Sequence, residues 1–122
     1  MRARAGYLVV AVFTSLWLPA LAAREERPIT ISVTPGTCVE PCSVRLAVRI
    51  ARDDSNRSVT IAAESPQFFR RSTRQLDGLQ APRLHELILN QIPSGAYEVR
   101  VIVSRADGPP VESKARFMVG TT

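Results

Sequence analysis

The two cysteines are the residues of this sequence whose spacing most directly suggests chemistry. Cys38 and Cys42 are the only cysteines among 122 residues, and three residues separate them. In an oxidising compartment this spacing predicts a local disulfide that pins one turn. The alternative is a copper or redox carrier that uses both thiols. A copper site of that type adds a nearby histidine, whereas the sole histidine, His85, is distant in sequence, so we favour the disulfide and expect no metal and no cofactor.

A basic cluster beside two aromatic residues is the best candidate for binding. Phe68 and Phe69 directly precede Arg70 and Arg71, and Arg74 follows closely. Guanidinium groups bind anions, and an exposed Phe flanked by Arg can anchor a protein contact. The cluster therefore predicts a protein or an anionic envelope polymer as partner. The alternative interpretation is that these charges keep an edge strand from pairing with other sheets.

No set of residues in the sequence predicts a catalytic site. His85 lies between Leu84 and Glu86, and neither a nucleophile nor an orienting group accompanies it. A lone histidine on a strand is usually a surface residue or half of a cross-strand pair. We therefore expect a protein that is not an enzyme.

The N-terminus has the layout of a secretory signal peptide. Arg2 and Arg4 precede an apolar run over 6–18, and a small-x-small pattern ends at Ala22. This layout predicts a signal peptide over 1–22, cleaved near Ala22 or Ala23, and an exported protein that is periplasmic or secreted, with no membrane span after cleavage. An uncleaved anchor is the alternative, although the apolar run is shorter than the roughly 20 residues of a spanning helix.

The remaining chain is short and only mildly basic. The full sequence has 16 basic and 11 acidic residues, so removal of Arg2 and Arg4 leaves 14 − 11 = +3. This length predicts one domain over 29–120 after a short exposed lead over 23–28. Export, modest charge and the lack of an interleaved aromatic platform argue against a nucleic-acid partner.

Apolar residues recur at every second position through most of this domain. In the clearest run, Val44, Leu46, Val48 and Ile50 alternate with polar or small residues. This period predicts strands with one buried face. The same criterion predicts seven strands, near 29–34, 44–50, 59–63, 67–75, 84–92, 97–104 and 114–119. The predicted core consists of Ile31, Val33, Leu46, Val48, Ile50, Val59, Ile61, Leu87, Leu89, Tyr97, Val99, Val101 and Phe117.

The segment 84–92 is ambiguous. Leu84, Leu87 and Ile88 also fit helical spacing, so a short helix over 83–91 is the alternative to a strand. We favour the strand because a helix between two prolines would be short. The run 87–89 breaks strict alternation, which predicts a bulge near Asn90.

A ten-residue segment carries a resemblance to a known fold. Ile92-Pro93-Ser94-Gly95-Ala96-Tyr97-Glu98-Val99-Arg100-Val101 resembles the Leu/Ile-Pro-x-Gly-x-Tyr-x-Val-x-Val segment of immunoglobulin-like and fibronectin type III-like domains of secreted bacterial proteins. The resemblance implies a seven-stranded immunoglobulin-like antiparallel β-sandwich. It also implies a tyrosine corner, in which the Tyr97 hydroxyl bonds back to the preceding connection and Gly95 supplies the turn.

The sequence differs from antibody-type domains in two respects. Its only Trp falls in the predicted signal peptide, and Cys38 and Cys42 are too close together to join two sheets. The bacterial type of the domain is therefore the better match. Together these features predict a small exported, non-enzymatic binding or structural module, with the carrier that uses Cys38 and Cys42 as the alternative.

Overall fold

Two β-sheets stack face to face in the computed structural model, which describes residues 27–122. The signal peptide predicted for residues 1–22 lies outside the described residues. Among these residues one 3-10 turn, Gly78–Gln80, interrupts the strands. The strands are β1 (Ile29–Thr34), β2 (Thr37–Val39), β3 (Cys42–Ile50), β4 (Asn56–Ser65), β5 (Phe68–Gln75), β6 (Leu84–Ile92), β7 (Gly95–Arg105) and β8 (Val111–Gly120).

One sheet has three strands in the order β1-β3-β6, and the other has five in the order β2-β8-β7-β4-β5. Neighbouring strands are antiparallel except for β2 and β8, which run parallel. The all-β sandwich predicted from the sequence is thus confirmed, with eight strands instead of seven. The additional strand, β2, has only three residues, which is too short to show a period of two.

Alternation along the central strands builds the core. On β3, Val44, Leu46, Val48 and Ile50 are all buried between the sheets, and the residues between them face outward. Each such side chain contributes on the order of 2 kcal/mol when fully buried. Of the predicted core residues, Ile31 and Val33 are only partly buried, because β1 lies at the edge of its sheet. Nine further apolar residues are buried: Ile29, Cys42, Val44, Ala63, Leu76, Ala81, Ile92, Val103 and Val119.

The segment 84–92 is a strand, and the predicted bulge is present near its end. The register of β3 against β6 shifts between the pairs Val44–Leu89 and Cys42–Ile92, so β6 has one residue more than β3 there. Gln91 has a φ of 49°, and its backbone N–H donates to the Ser43 hydroxyl at 3.2 Å. The bulge re-aims the chain so that Ile92 returns to the core.

The connection between β6 and β7 is fixed by Tyr97. Its hydroxyl donates to the Pro93 carbonyl at 2.7 Å. Its ring stacks on Phe117, with the ring centroids 4.8 Å apart and an angle of 7° between the planes. Gly95 has a φ of 152°, a backbone conformation that residues with a side chain rarely adopt, so the turn favours glycine.

Candidate functional site

The predicted binding residues lie on β5, an edge strand of the five-stranded sheet. β5 pairs with β4 over eight consecutive residue pairs without a register shift. Successive side chains of a strand point to opposite faces of the sheet. The five residues therefore separate into an inner set, Phe68, Arg70 and Arg74, and an outer set, Phe69 and Arg71.

The inner set closes the open side of the sandwich. Phe68 packs against Tyr97, with their ring centroids 5.9 Å apart. Arg70 Nη1 donates to the Ile88 carbonyl at 3.4 Å, and Arg74 Nη2 donates to the Glu86 carbonyl at 2.7 Å. Both arginines thus cross from β5 to β6 in the opposite sheet. We call this contact the β5–β6 seam.

The carbonyls bound at the seam are those that β6 leaves unpaired. The Ile50 N–H donates to the Arg83 carbonyl at 2.8 Å, which fixes the phase of the β3–β6 ladder. Alternate residues of an edge strand direct their backbone groups away from the sheet. In this phase, Glu86 and Ile88 are two of the outward-directed residues of β6. Arg70 and Arg74 therefore satisfy two carbonyls on the edge of β6 that no neighbouring strand pairs with.

The outer set is exposed on the far face of the five-stranded sheet. The Phe69 side chain is 58% exposed, and Arg71 makes no hydrogen bond or ion pair with any other residue of the described chain. We call these two residues the Phe69–Arg71 site. A shallow depression beside them is lined by Thr60, Ala62, Glu64, Glu98, Arg100 and Ile102.

Another arginine on this face, Arg100, is already paired. Arg100 lies 3.6 Å from Glu98 and 3.1 Å from Glu112, so one guanidinium serves two carboxylates. Arg71 lies in the same cross-strand row as Arg100, with the small side chain of Ala62 between them. Arg71 can consequently bind an acidic ligand without breaking an existing ion pair, whereas Arg100 cannot.

The three arginines predicted as one basic cluster do not form one patch. Arg71 faces solvent beside Phe69, whereas Arg70 and Arg74 contact β6. The period of two within Phe68–Gln75 could have separated them at the level of sequence. The contact with β6 could not have been found in this way, because it depends on how the two sheets stack.

Cys38 and Cys42 are joined where β2 leads into β3, so the disulfide links a strand of the five-stranded sheet to a strand of the three-stranded sheet. The expectation that cysteines so close in sequence could not join the two sheets was therefore wrong, because the chain passes from one sheet to the other within this turn. Their sulfur atoms are 1.94 Å apart and their Cα atoms 6.3 Å apart, and no free cysteine is present among residues 27–122. Cys42 is buried and Cys38 is partly exposed. No group of three or more His, Cys, Asp or Glu residues in the described chain is placed to hold a metal ion.

His85 faces the core and lies opposite Val48 of β3, so of the two expected positions it has the cross-strand one and not the surface one. It is 6% exposed, and its Nε2 lies 3.0 Å from the Pro82 carbonyl. Burial lowers the pKa of His85, and the nearby charge of Arg74 lowers this pKa further, although the Pro82 contact opposes both effects. A neutral imidazole that donates to Pro82 is the form that fits this environment.

Within residues 27–122, no helix is long and apolar enough to cross a membrane. No protein-family model matches the chain, and no curated protein matches it in sequence.

Several solved structures are similar to the chain in fold. Superoxide reductase (neelaredoxin) from Ignicoccus hospitalis matches with a TM-score of 0.60 at 12% identity, over 76% of this chain and 80% of that one. A variant of the same protein matches with a TM-score of 0.58 at 13% identity, over 85% and 87% of the two chains. Murine CRIg gives a TM-score of 0.46 at 13% identity, over 77% and 98%. At these identities the similarity concerns the fold alone.

The similarity to superoxide reductases contradicts the prediction that the protein is not an enzyme. That prediction rested on the absence of a recognisable catalytic set around His85. The comparison shows that enzymes share this two-sheet fold over most of their length. Neither the fold nor the missing motif therefore excludes catalysis.

Proposed function

We propose that the protein is a small exported module that binds another protein through the Phe69–Arg71 site. One observation carries the proposal: the exposed ring of Phe69 lies beside the unpaired guanidinium of Arg71. The neighbouring Arg100 on the same face is held by two carboxylates. Exposed aromatic and Arg side chains are the residue types that most often dominate protein interfaces.

The chemistry of the site favours a partner that is both apolar and acidic. Phe69 supplies apolar area that is lost to water on binding, and Arg71 can bind a carboxylate with two parallel hydrogen bonds. An anionic polymer would satisfy Arg71 but would leave the Phe69 ring without a partner. We therefore favour a protein over an envelope polymer.

Two features support export. The first 22 residues have the layout of a signal peptide, and Cys38 and Cys42 lie at bonding distance. Disulfides persist in oxidising compartments and are rare in the cytosol. The partner should accordingly be a periplasmic or extracellular protein.

Cross-linked capture from the envelope fraction of the native host tests this proposal. The test variant is Phe69→Ala with Arg71→Ala. The matched control is Ile88→Ala with Arg49→Ala, which removes an exposed apolar and an exposed basic side chain from the outer face of the other sheet. We expect one protein to be recovered with the unchanged chain and with the control, but not with the test variant. Equal recovery by all three chains would refute the site, and recovery of a polysaccharide would identify the other class of partner.

A thiol–disulfide carrier is the second candidate, and the bond between Cys38 and Cys42 supports it. In this function the disulfide accepts two electrons and two protons from a partner dithiol, which becomes a disulfide while both cysteines become thiols. Cys38 is partly exposed, so a partner thiolate has access to one sulfur atom. The likeness to superoxide reductases is compatible with this candidate at the level of fold only.

Equilibration in glutathione and dithiothreitol buffers, with thiols counted by alkylation and mass spectrometry, tests the carrier. A carrier should exchange near the potential of its compartment. Reduction only below about −300 mV would be the behaviour of a structural disulfide and would exclude this candidate.

A further inference from the structure

We propose that the open edge of β5 binds an acidic, extended segment of the partner protein as an additional strand of the five-stranded sheet. This inference rests on the proposed function, since it specifies how the Phe69–Arg71 site is used. It combines three observations: unpaired backbone groups, the charge of β5, and the covering of the neighbouring edge.

The backbone groups on the open edge of β5 can be assigned from one hydrogen bond. The Leu76 N–H donates to the Arg57 carbonyl at 2.8 Å, so this directly opposite pair is a hydrogen-bonded one. Hydrogen-bonded and non-hydrogen-bonded pairs alternate along an antiparallel ladder. Phe69, Arg71 and Thr73 therefore direct their N–H and C=O groups away from β4, toward the open edge.

The same residues direct their side chains to the outer face. A strand that paired with Phe69 and Arg71 through its backbone would place its directly opposite side chains beside theirs. Backbone pairing and side-chain recognition thus converge on the Phe69–Arg71 site. This is the arrangement that strand addition uses, in which main-chain bonds give affinity and alternate side chains give specificity.

The charge of β5 selects the occupant. Phe68–Gln75 contains three arginines and no acidic residue. Pairing with β5 of a second copy would bring these arginines close to their own equivalents, and like charges that face each other across strands are destabilising. An acidic segment would be attracted instead. The arginines of β5 therefore disfavour pairing with a second copy of the strand and favour an acidic partner.

The second edge on this side of the sandwich is not available. Arg70 and Arg74 occupy the carbonyls of Ile88 and Glu86 on β6. Among residues 27–122, no comparable side-chain hydrogen bond covers the outward-directed backbone groups of β5. The seam thereby leaves β5 as the accessible edge on this side.

Fluorescence anisotropy with the full chain tests the mode of binding. The probe is a short labelled peptide with the repeat Val-Thr-Glu-Thr, which places Val and Glu alternately on one face of the strand, and the control peptide has Lys in place of Glu. We expect the Glu peptide to bind and the Lys peptide not to bind. Arg71→Glu should weaken binding of the Glu peptide by about tenfold or more, whereas Arg49→Glu, the same charge change on the other sheet, should leave it unchanged.

Two N-methylated peptides separate strand addition from simple charge attraction. One carries N-methyl groups on every Glu and Val and the other on every Thr, so each loses the N–H groups of one edge only. In antiparallel pairing, Glu and Val residues opposite Arg71 and Phe69 would direct their own N–H groups to β5. Methylation of Glu and Val should therefore abolish binding of an antiparallel strand, and methylation of Thr should preserve it. The reverse pattern would indicate a parallel strand, which is still strand addition.

The outcomes distinguish this inference from the proposed function. Equal binding of both methylated peptides, or no binding of the Glu peptide, overturns strand addition, while capture that depends on Phe69 and Arg71 keeps the proposed function. Capture that is independent of these two residues overturns the proposed function, and the inference with it.

Discussion

Tyr97 connects a local turn to the core. Its ring lies between Phe68 and Phe117, and its hydroxyl bonds to the Pro93 carbonyl. The side chain therefore holds the β6–β7 connection against the interior of the sandwich. Because the same ring supports Phe68, it also fixes the first residue of β5.

Tyr97→Phe should lower the free energy of unfolding by about 1 kcal/mol, because it removes one buried hydrogen bond and keeps the ring. The measurement is urea unfolding of both proteins at neutral pH. Tyr97→Leu is a comparison that also removes the aromatic packing, and it should cost more. An unchanged free energy for Tyr97→Phe would show that this hydrogen bond does not stabilise the turn.

His85 should make stability fall in mildly acidic solution. Burial lowers its pKa in the folded protein below the usual value of about 6.5. Between these two pKa values the unfolded chain binds more protons than the folded one, so stability decreases as pH falls through this window. Hydrogen bonds from Ser55 lower the pKa of Asp53, so this carboxylate titrates at more acidic pH.

Urea unfolding at pH 7.5 and pH 5.5 measures this effect, with His85→Gln as the comparison. The unchanged protein should lose more stability between the two pH values than the variant does. Equal losses would assign the pH dependence to groups other than His85.

At the scale of elements, the β5–β6 seam accounts for two of the three clustered arginines. Arg74→Ala should lower the free energy of unfolding by about 1 kcal/mol, because the Glu86 carbonyl loses its donor. Arg71→Ala, on the same strand but on the opposite face, should change it by less than about 0.5 kcal/mol. Thermal or urea unfolding gives both values, and equal losses would contradict the division of β5 into two faces.

The strands in the middle of each sheet could be predicted, because a strand that is buried on one face has apolar residues at every second position. β3 and β7 show this period clearly. β2 could not be predicted, since its three residues are placed by pairing with β8 and not by a pattern of their own. The bulge in β6 was predicted from the apolar run over 87–89, but this run alternates, with Leu87 and Leu89 buried and Ile88 half exposed. The register shift comes after the run, between Leu89 and Ile92, so the position was right and the reason was not.

The candidate site was only partly predictable. Phe69 and Arg71 were predicted as members of a set with Phe68, Arg70 and Arg74, without a choice of which aromatic residue is exposed. The hydrogen bonds of Arg70 and Arg74 to β6 could not be predicted. They depend on how the two sheets are positioned relative to each other, which the periodicity of the sequence does not determine. The inward direction of His85 was missed for a related reason, since histidine carries no clear preference for either face.

At the scale of the whole molecule, export is the prediction that most constrains function. Expression of the full chain in a bacterial host should yield an extracytoplasmic protein that begins near Ala23, because the apolar run and the small residues before it fit a signal peptidase site. Intact-mass measurement of the purified protein decides this directly. A mass that includes residues 1–22 would support the uncleaved anchor.

The direction of the first and last strands has a mechanical consequence. Ile29 begins β1 at one end of the sandwich, and Gly120 ends β8 at the other. Tension applied through these two points would pull β2 and β8, which run parallel, in opposite directions along the strand axes and across their shared hydrogen bonds. Those bonds would be loaded together in shear instead of breaking one after another. If the chain were stretched between two attachment points, the pairing of β2 with β8 would thus resist unfolding, although the sequence pattern does not reveal β2.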